Sequence, residues 1–253
     1  MHIRTATADG VATIEMARPE RKNALTQAMY AAMAEALTVA DADAAVRAVL
    51  IAGQPGVFTS GNDLEDFMQR PPTGEDSPVL RFMTALSGCG KPVVAAVTGA
   101  AVGIGATMLL HCDFVYVSDE ARLALPFVGL GLVPEYASSL LVPQLAGRAK
   151  ASELLLLGEP FSGERAVEMG LANAVLPAGE VVRHARRVAE RFNTLPPGAV
   201  RDSKALMRRG QEALVREAIA AEVEVFSRRL RSPEAMEAFQ SFFEKRKPDF
   251  SKF

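Results

Sequence analysis

Pro92-Val-Val-Ala-Ala-Val-Thr98, Gly99-Ala-Ala-Val-Gly-Ile-Gly105 and Ala106-Thr-Met-Leu-Leu-His-Cys112 follow one another without a single Asp, Glu, Lys or Arg. A run of this length would be long enough to cross a bilayer. It divides, however, into a β-branched segment, a glycine-punctuated loop and a short apolar segment. That pattern reads as a buried strand, a tight turn and a buried helix rather than a transmembrane span. A strand buried on both faces belongs to a parallel sheet covered by helices, so the expectation is an α/β core.

Outward from this stretch the chain alternates in the same way. Ile3–Thr7 and Val11–Met16, separated by Ala-Asp-Gly, read as a β-hairpin. A helix is expected from about Thr26, with Met29, Met33, Ala36 and Leu37 on one face. Val46–Ile51 and Phe114–Ser118 read as strands, residues 53–63 as a glycine-rich turn, 68–78 as a polar loop and Val79–Leu86 as a helix. Helices are expected after Pro134 and near Ala149–Leu157. Another is expected at Ser162–Met169, capped by Ser162 without a full capping box because Arg165 stands where an acid would reach back. After a strand at Ala172–Leu176 the chain is helical and densely charged.

Composition narrows the function classes. The 253 residues are 49% hydrophobic and 6% aromatic, without Trp, and the net charge of −2 offers no global field for nucleic acid or an anionic membrane. Two cysteines, Cys89 and Cys112, and no repeated Cys/His spacing argue against a disulfide framework or a structural zinc, and fit a reducing compartment. The opening residues show no signal-peptide pattern, and the final Ser251-Lys252-Phe253 matches a peroxisomal address only loosely. A cytoplasmic protein is expected.

Three segments are costly for packing alone. In Phe58-Thr-Ser-Gly-Asn-Asp-Leu64, Gly61 permits a conformation that turns the next N–H outward, although Asn62 or Asp63 would also serve as an ordinary helix cap. In Gly99–Gly105, backbone N–H groups stand at a helix start, where negative charge is favoured. A dinucleotide fingerprint fails there, since Met108 holds the place of the third glycine and Asp119 comes too early for a ribose acid. In Pro126–Tyr136, Glu135 ends a long uncharged stretch; an acid in the first turn of a helix begun by Pro134 would explain it equally well. A Ser60–His111–Asp113 triad is rejected, because no nucleophile elbow is present and two members crowd one helix end.

In this order and spacing the segments resemble the crotonase (enoyl-CoA hydratase/isomerase) superfamily. Arg18-Pro-Glu-Arg-Lys-Asn-Ala-Leu25, Lys91–Gly99, Cys112-Asp-Phe and the tail Phe242–Pro248 join in the resemblance, which covers essentially the whole chain. It implies a crotonase (ClpP-like) spiral of ββα units over residues 1–195, and a helical trimerisation region over 196–253. It also implies homotrimers or hexamers built as dimers of trimers. The expected substrate is an acyl-CoA thioester, with no metal, flavin or nucleotide redox cofactor, because the thioester itself supplies the activated carbon acid.

Carried over by residue, the resemblance places an oxyanion hole at the N–H groups of Asn62 and Ile104. Two preorganised donors aimed at one oxygen are what an enolate needs. Arg18, Lys22, Ala24, Ser60, Gly61, Asp63, Leu64 and Gly103 are the expected CoA and acyl contacts; Arg18 and Lys22 would meet phosphates, unless they form only a solvated basic turn. The two glutamates of the hydratases are missing, with Thr107 and Phe127 in their places. Glu135 stands instead where Δ3,Δ2-enoyl-CoA isomerases of the peroxisomal type carry one catalytic glutamate. One carboxylate suffices for a 1,3 proton shift. The expected activity is therefore isomerisation. Hydration, or another enolate-forming reaction, is the first alternative, and non-catalytic acyl-CoA binding the second.

Overall fold

The computed structural model describes residues 2–70 and 76–253. Ile3–Ala8 (β1) and Val11–Met16 (β2) form the expected antiparallel hairpin, turned at Asp9 and Gly10, both with positive φ. Asp-Gly suits that turn because both central residues must enter the left-handed region. Thr26 caps the helix Gln27–Ala42 (α1) by accepting from the Met29 N–H, and Met29, Tyr30, Met33 and Leu37 line its buried face.

Three turns of a spiral follow. Ala48–Ala52 (β3) and Val57–Thr59 (β4) lead to Leu64–Gln69 (α2) and Pro78–Gly88 (α3). Val93–Val97 (β5) and Ala100–Val102 (β6) lead to Ile104–Thr107 (α4), which tightens into a 3-10 turn at Met108–His111. Phe114–Ser118 (β7) and Arg122–Ala124 (β8) lead, through a 3-10 turn at Val128–Leu130, to Ser138–Ser152 (α5). Phe161–Ser162 (β9), Gly163–Glu168 (α6), Ala174–Leu176 (β10) and Val181–Glu190 (α7) complete the core. Each turn thus lays one strand in a six-stranded sheet, of order β1-β2-β3-β5-β7-β10, and one in a four-stranded sheet, of order β4-β6-β8-β9. The ββα spiral expected from the sequence is present.

The period-2 geometry of a strand explains why β5 carries no polar residue. Val93, Ala95 and Val97 face the main core with Phe82 and Met33, while Val94 and Ala96 face Val181, Ala185 and Ala189 of α7.

Pro197–Arg208 (α8), Glu212–Arg229 (α9) and Pro233–Phe243 (α10) form the helical region after the core. These helices are fastened to the spiral. On α8, Lys204 Nζ lies 2.5 Å from Asp113 Oδ2 and donates to the Lys91 carbonyl, while Arg208 donates to the Ser87, Cys89 and His111 carbonyls. Phe226 of α9 meets Phe67 of α2 edge-on. Among the described residues no helix is long and apolar enough to cross a membrane.

Several local expectations need correction. Pro134 does not begin a helix: Tyr136 and Ala137 both take positive φ, and α5 starts only at Ser138. The helix expected near Ala149–Leu157 is the continuation of α5 beyond a kink at Gly147, ending in a π-helical turn at Glu153–Leu157. The turn segments 53–63 and 99–105 each contain a short strand, β4 and β6. The polar loop expected at 68–78 overlaps α2 and the start of α3, and residues 71–75 of it lie outside the described residues.

Candidate active site

Two successive turns of the spiral bring the two glycine loops together. β4 and β6 are parallel neighbours, with Val57 opposite Ala100 and Thr59 opposite Ala101, so both strands release their loops at the same edge. Gly61 (φ +95) lies so close to the next loop that a Cβ there would meet the Val102 carbonyl oxygen at 2.9 Å. Gly103 takes φ 57 and ψ −120, a conformation closed to residues with a Cβ. Just beyond these glycines stand the N–H groups of Asn62 and Ile104, and neither finds an acceptor among the described residues. Their loops start from adjacent strands of one sheet, so little freedom is left between them.

The first loop is riveted from below by the segment before α1. Lys22 and Asn23 are both left-handed, which turns the fully buried Asn23 side chain under β4. Its amide donates to the Val57 and Phe58 carbonyls, its Oδ1 accepts from the Arg18 N–H, and its carbonyl accepts from the Thr59 hydroxyl. Ser60 N–H donates to the Lys22 carbonyl, and Leu25 is bridged to the loop through the Gly61 carbonyl and the Asp63 N–H. Asp63 caps α2 by accepting from the Asp66 N–H, as one reading of the sequence allows. Burial acts to raise the Asp63 pKa, but the Asp66 N–H bond and the Arg18 guanidinium outweigh it and hold the carboxyl below its usual value.

Arg18 is therefore a strut. Its Nη1 donates to the Ala24 carbonyl at 2.8 Å and to Asp63 Oδ2 at 2.7 Å, and its side chain is largely buried. Lys22, by contrast, is exposed, while Ala24, Ser60, Leu64 and Gly103 are half-buried around the loops.

Glu135 sits in the turn before α5 and is 8% exposed. Its Oε1 is buried without a hydrogen-bond partner. Burial, and then the carboxylate of Glu222, push its pKa up from 4.5 to about 8. Unpartnered buried carboxylate oxygens are rare because they are costly, and such exceptions collect at functional sites. Tyr30 of α1 links the acid to the loops: its hydroxyl donates to Asn62 Oδ1, and its buried phenol, with its pKa raised well above normal first by burial, also feels the charge of Glu135.

The remaining candidates fall into place around this corner. Thr107 is fully buried with an unpartnered Oγ1, and the Phe127 ring approaches Gly103. Neither supplies an acid. His111 stacks on Tyr136 and its Nε2 meets the Tyr136 carbonyl; burial lowers its pKa to about 4. Among the described residues no three His, Cys, Asp or Glu side chains cluster as metal ligands. Sequence reasoning misses Tyr30, Asn23 and Glu222. For Glu222 a signal exists, a lone acid between Ile219 and Phe226 on an otherwise apolar helix face.

The family model for enoyl-CoA hydratase/isomerase matches residues 6–252. The chain belongs to that family. OdaA of Pseudomonas aeruginosa, a solved structure, is 55% identical; the match covers 95% of this chain and 98% of that one, with a TM-score of 0.93. Enoyl-CoA delta isomerase 2 of Homo sapiens is 34% identical over 94% of this chain, and this chain spans 62% of the length of that relative. A probable enoyl-CoA hydratase of Bacillus subtilis is 31% identical, with 90% of each chain covered. The spiral is thus the crotonase fold. Membership of the enoyl-CoA hydratase/isomerase family makes the chain an enzyme of acyl-CoA metabolism.

Proposed function

We propose that this enoyl-CoA hydratase/isomerase family member is a Δ3,Δ2-enoyl-CoA isomerase of fatty acid oxidation. The observation that carries this reading is Glu135, a buried carboxyl with a bare oxygen and a pKa near neutrality, in a site whose other two acid positions hold Thr107 and Phe127. The Asn62 and Ile104 N–H groups hold the thioester oxygen. Glu135 removes a proton from C2, charge moves onto that oxygen, and the same carboxyl returns the proton at C4 while the double bond moves from C3–C4 to C2–C3. Protons balance within one side chain, so no water or second acid is needed. Loss of one oxyanion donor typically costs about two to three orders of magnitude in rate.

Arg18, Lys22, Ala24, Ser60, Gly61, Asp63, Leu64 and Gly103 are the proposed CoA and acyl contacts, with Gly61, Asp63 and Arg18 also shaping and supporting the loop. Self-assembly as a trimer, or as a hexamer of two trimers, is supported by large apolar side chains left outside on α8, notably Leu206 (67% exposed) and Met207 (82%).

The test is direct. A trans-3-enoyl-CoA should gain conjugated thioester absorbance with the native enzyme and not with Glu135→Gln. Loss of absorbance from a trans-2-enoyl-CoA, without 3-enoyl turnover, would mean hydration instead. Tight binding of acyl-CoA with neither reaction would mean a non-catalytic binder.

A further inference from the structure

The turn that carries Glu135 is not self-supporting. Tyr136 (φ 59) and Ala137 (φ 58) are two successive left-handed residues with side chains, each in a region such residues rarely occupy. A conformation of this kind persists only when its surroundings over-determine it. Here the surroundings come from far along the chain. Glu222 of α9 is 7% exposed, and its carboxylate accepts the Ala137 N–H at 2.6 Å through Oε2 and the Ser139 N–H at 2.9 Å through Oε1. Ser138 adds a local hold, with its N–H and hydroxyl both donating to the Glu135 carbonyl. From the other side, the Tyr136 ring is stacked on His111 and its hydroxyl donates to the Met83 carbonyl.

We propose that Glu222 is the positioning residue for Glu135: its two carboxylate oxygens hold the left-handed turn that aims the acid. A carboxylate anchored there also disfavours ionisation of the acid carried by that turn. The proposal rests on Glu135 being the proton-transferring group. The two carboxylates are unequal. Glu222 has two backbone donors that favour its ionised form, although burial, the larger influence, raises its pKa. Glu135 has a bare Oε1. Of the pair, Glu135 is the one that takes the proton, and two carboxylates pushed apart in this way are a recognised route to an acid and base working near neutrality.

The other titratable groups of the corner do not compete for that role. Tyr30 and Tyr136 remain protonated phenols, and His111 is neutral at working pH. Arg229, on the same helix as Glu222, is engaged with the Gly131 carbonyl and Glu234.

The experiment is the pH profile of kcat/KM with trans-3-enoyl-CoA for the full chain and for Glu222→Gln, Glu222→Asp and Glu135→Gln, with thermal unfolding as a check of folding. Glu222→Gln removes the charge. Its acidic limb should move down by about one pH unit, and its plateau kcat should fall about tenfold or more with KM little changed. Glu222→Asp keeps the charge but withdraws it from the two N–H groups, so kcat should fall while the limb moves less than in Glu222→Gln. A folded Glu222→Gln whose limb stays at the native pH overturns the proposal, whatever its rate. So does a Glu222→Asp enzyme with native kcat, a result that stands even if the Gln variant does not fold. Activity that survives in Glu135→Gln would sink the isomerase reading itself. Loss there combined with an unmoved Glu222→Gln limb sinks only the role of Glu222.

Discussion

Replacing Glu135 by Gln should make the protein more stable at neutral pH while abolishing turnover. Burial and Glu222 raise the carboxyl from 4.5 to about 8 in the folded chain. Between those two values the folded state binds a proton that the unfolded chain releases, so stability falls as pH rises through this window and levels off above it. The loss is absent below the unfolded value, where both states are protonated. Each pH unit is worth about 1.4 kcal/mol, so at pH 7 the burden is about 3 kcal/mol, and about 5 kcal/mol once the folded carboxyl has ionised. Gln has nearly the shape of the protonated acid but no linked proton. Urea unfolding of both proteins at pH 5 and pH 8 isolates the effect, because steric differences cancel between the two pH values. The stability gain of Glu135→Gln should be larger at pH 8 by about 3 to 5 kcal/mol. An equal gain at both pH values would show that Glu135 carries no proton near neutrality, and a poised base at that position would be refuted.

Gly61→Ala should lower kcat by about a hundredfold or more, since a Cβ there meets the Val102 carbonyl at 2.9 Å and the loops bearing the two N–H donors must separate. Steady-state rates of the folded variant check this. Tyr30→Phe removes the hydrogen bond to Asn62 Oδ1 and should cost about three- to tenfold in kcat without raising KM, measured in the same assay. Asp113→Ala leaves Lys204 buried without its carboxylate and removes the acceptor of the Val93 N–H; it should cost about 3 to 5 kcal/mol, read as a lower urea midpoint. The acidic limb of kcat/KM in the native enzyme should lie near the pKa of Glu135, about 8, because the base must lose its proton before it can act.

The long strands of the core are legible in the sequence because they carry a strong local pattern, whereas their winding into a spiral follows only from the family resemblance. Phe114–Ser118 reads with the bounds observed, the helix expected from about Thr26 begins at Gln27, and Ser162 caps its helix as expected by accepting from the Arg165 N–H. The second sheet is not legible. Its strands are two or three residues long, too short for an alternation to register, and they form because the longer strands hold their ends in place. Pro134 misleads for a different reason. Proline before a helical pattern ordinarily marks the first turn, but here Glu222 binds the Ala137 and Ser139 N–H groups and fixes a left-handed turn to which Ser138 adds only a local hold. The ion pair of Arg18 with Asp63 is not legible, because its members stand 45 positions apart across a loop that the sequence does not show closing. Glycine placement and an isolated acid single out the loops and Glu135, but their roles follow only from the family resemblance. The residues that support them are not legible, because tertiary neighbours carry no periodic signal.

The bond between Ala137 and Glu222 joins residues 85 positions apart. During synthesis the spiral through α5 emerges while α9 is still inside the ribosome, so the loops bearing the N–H donors are made before the clamp that aims the acid. A chain stopped at residue 211 would contain every strand of both sheets and lack that clamp. Competence in this protein is thus a late event in its own biogenesis.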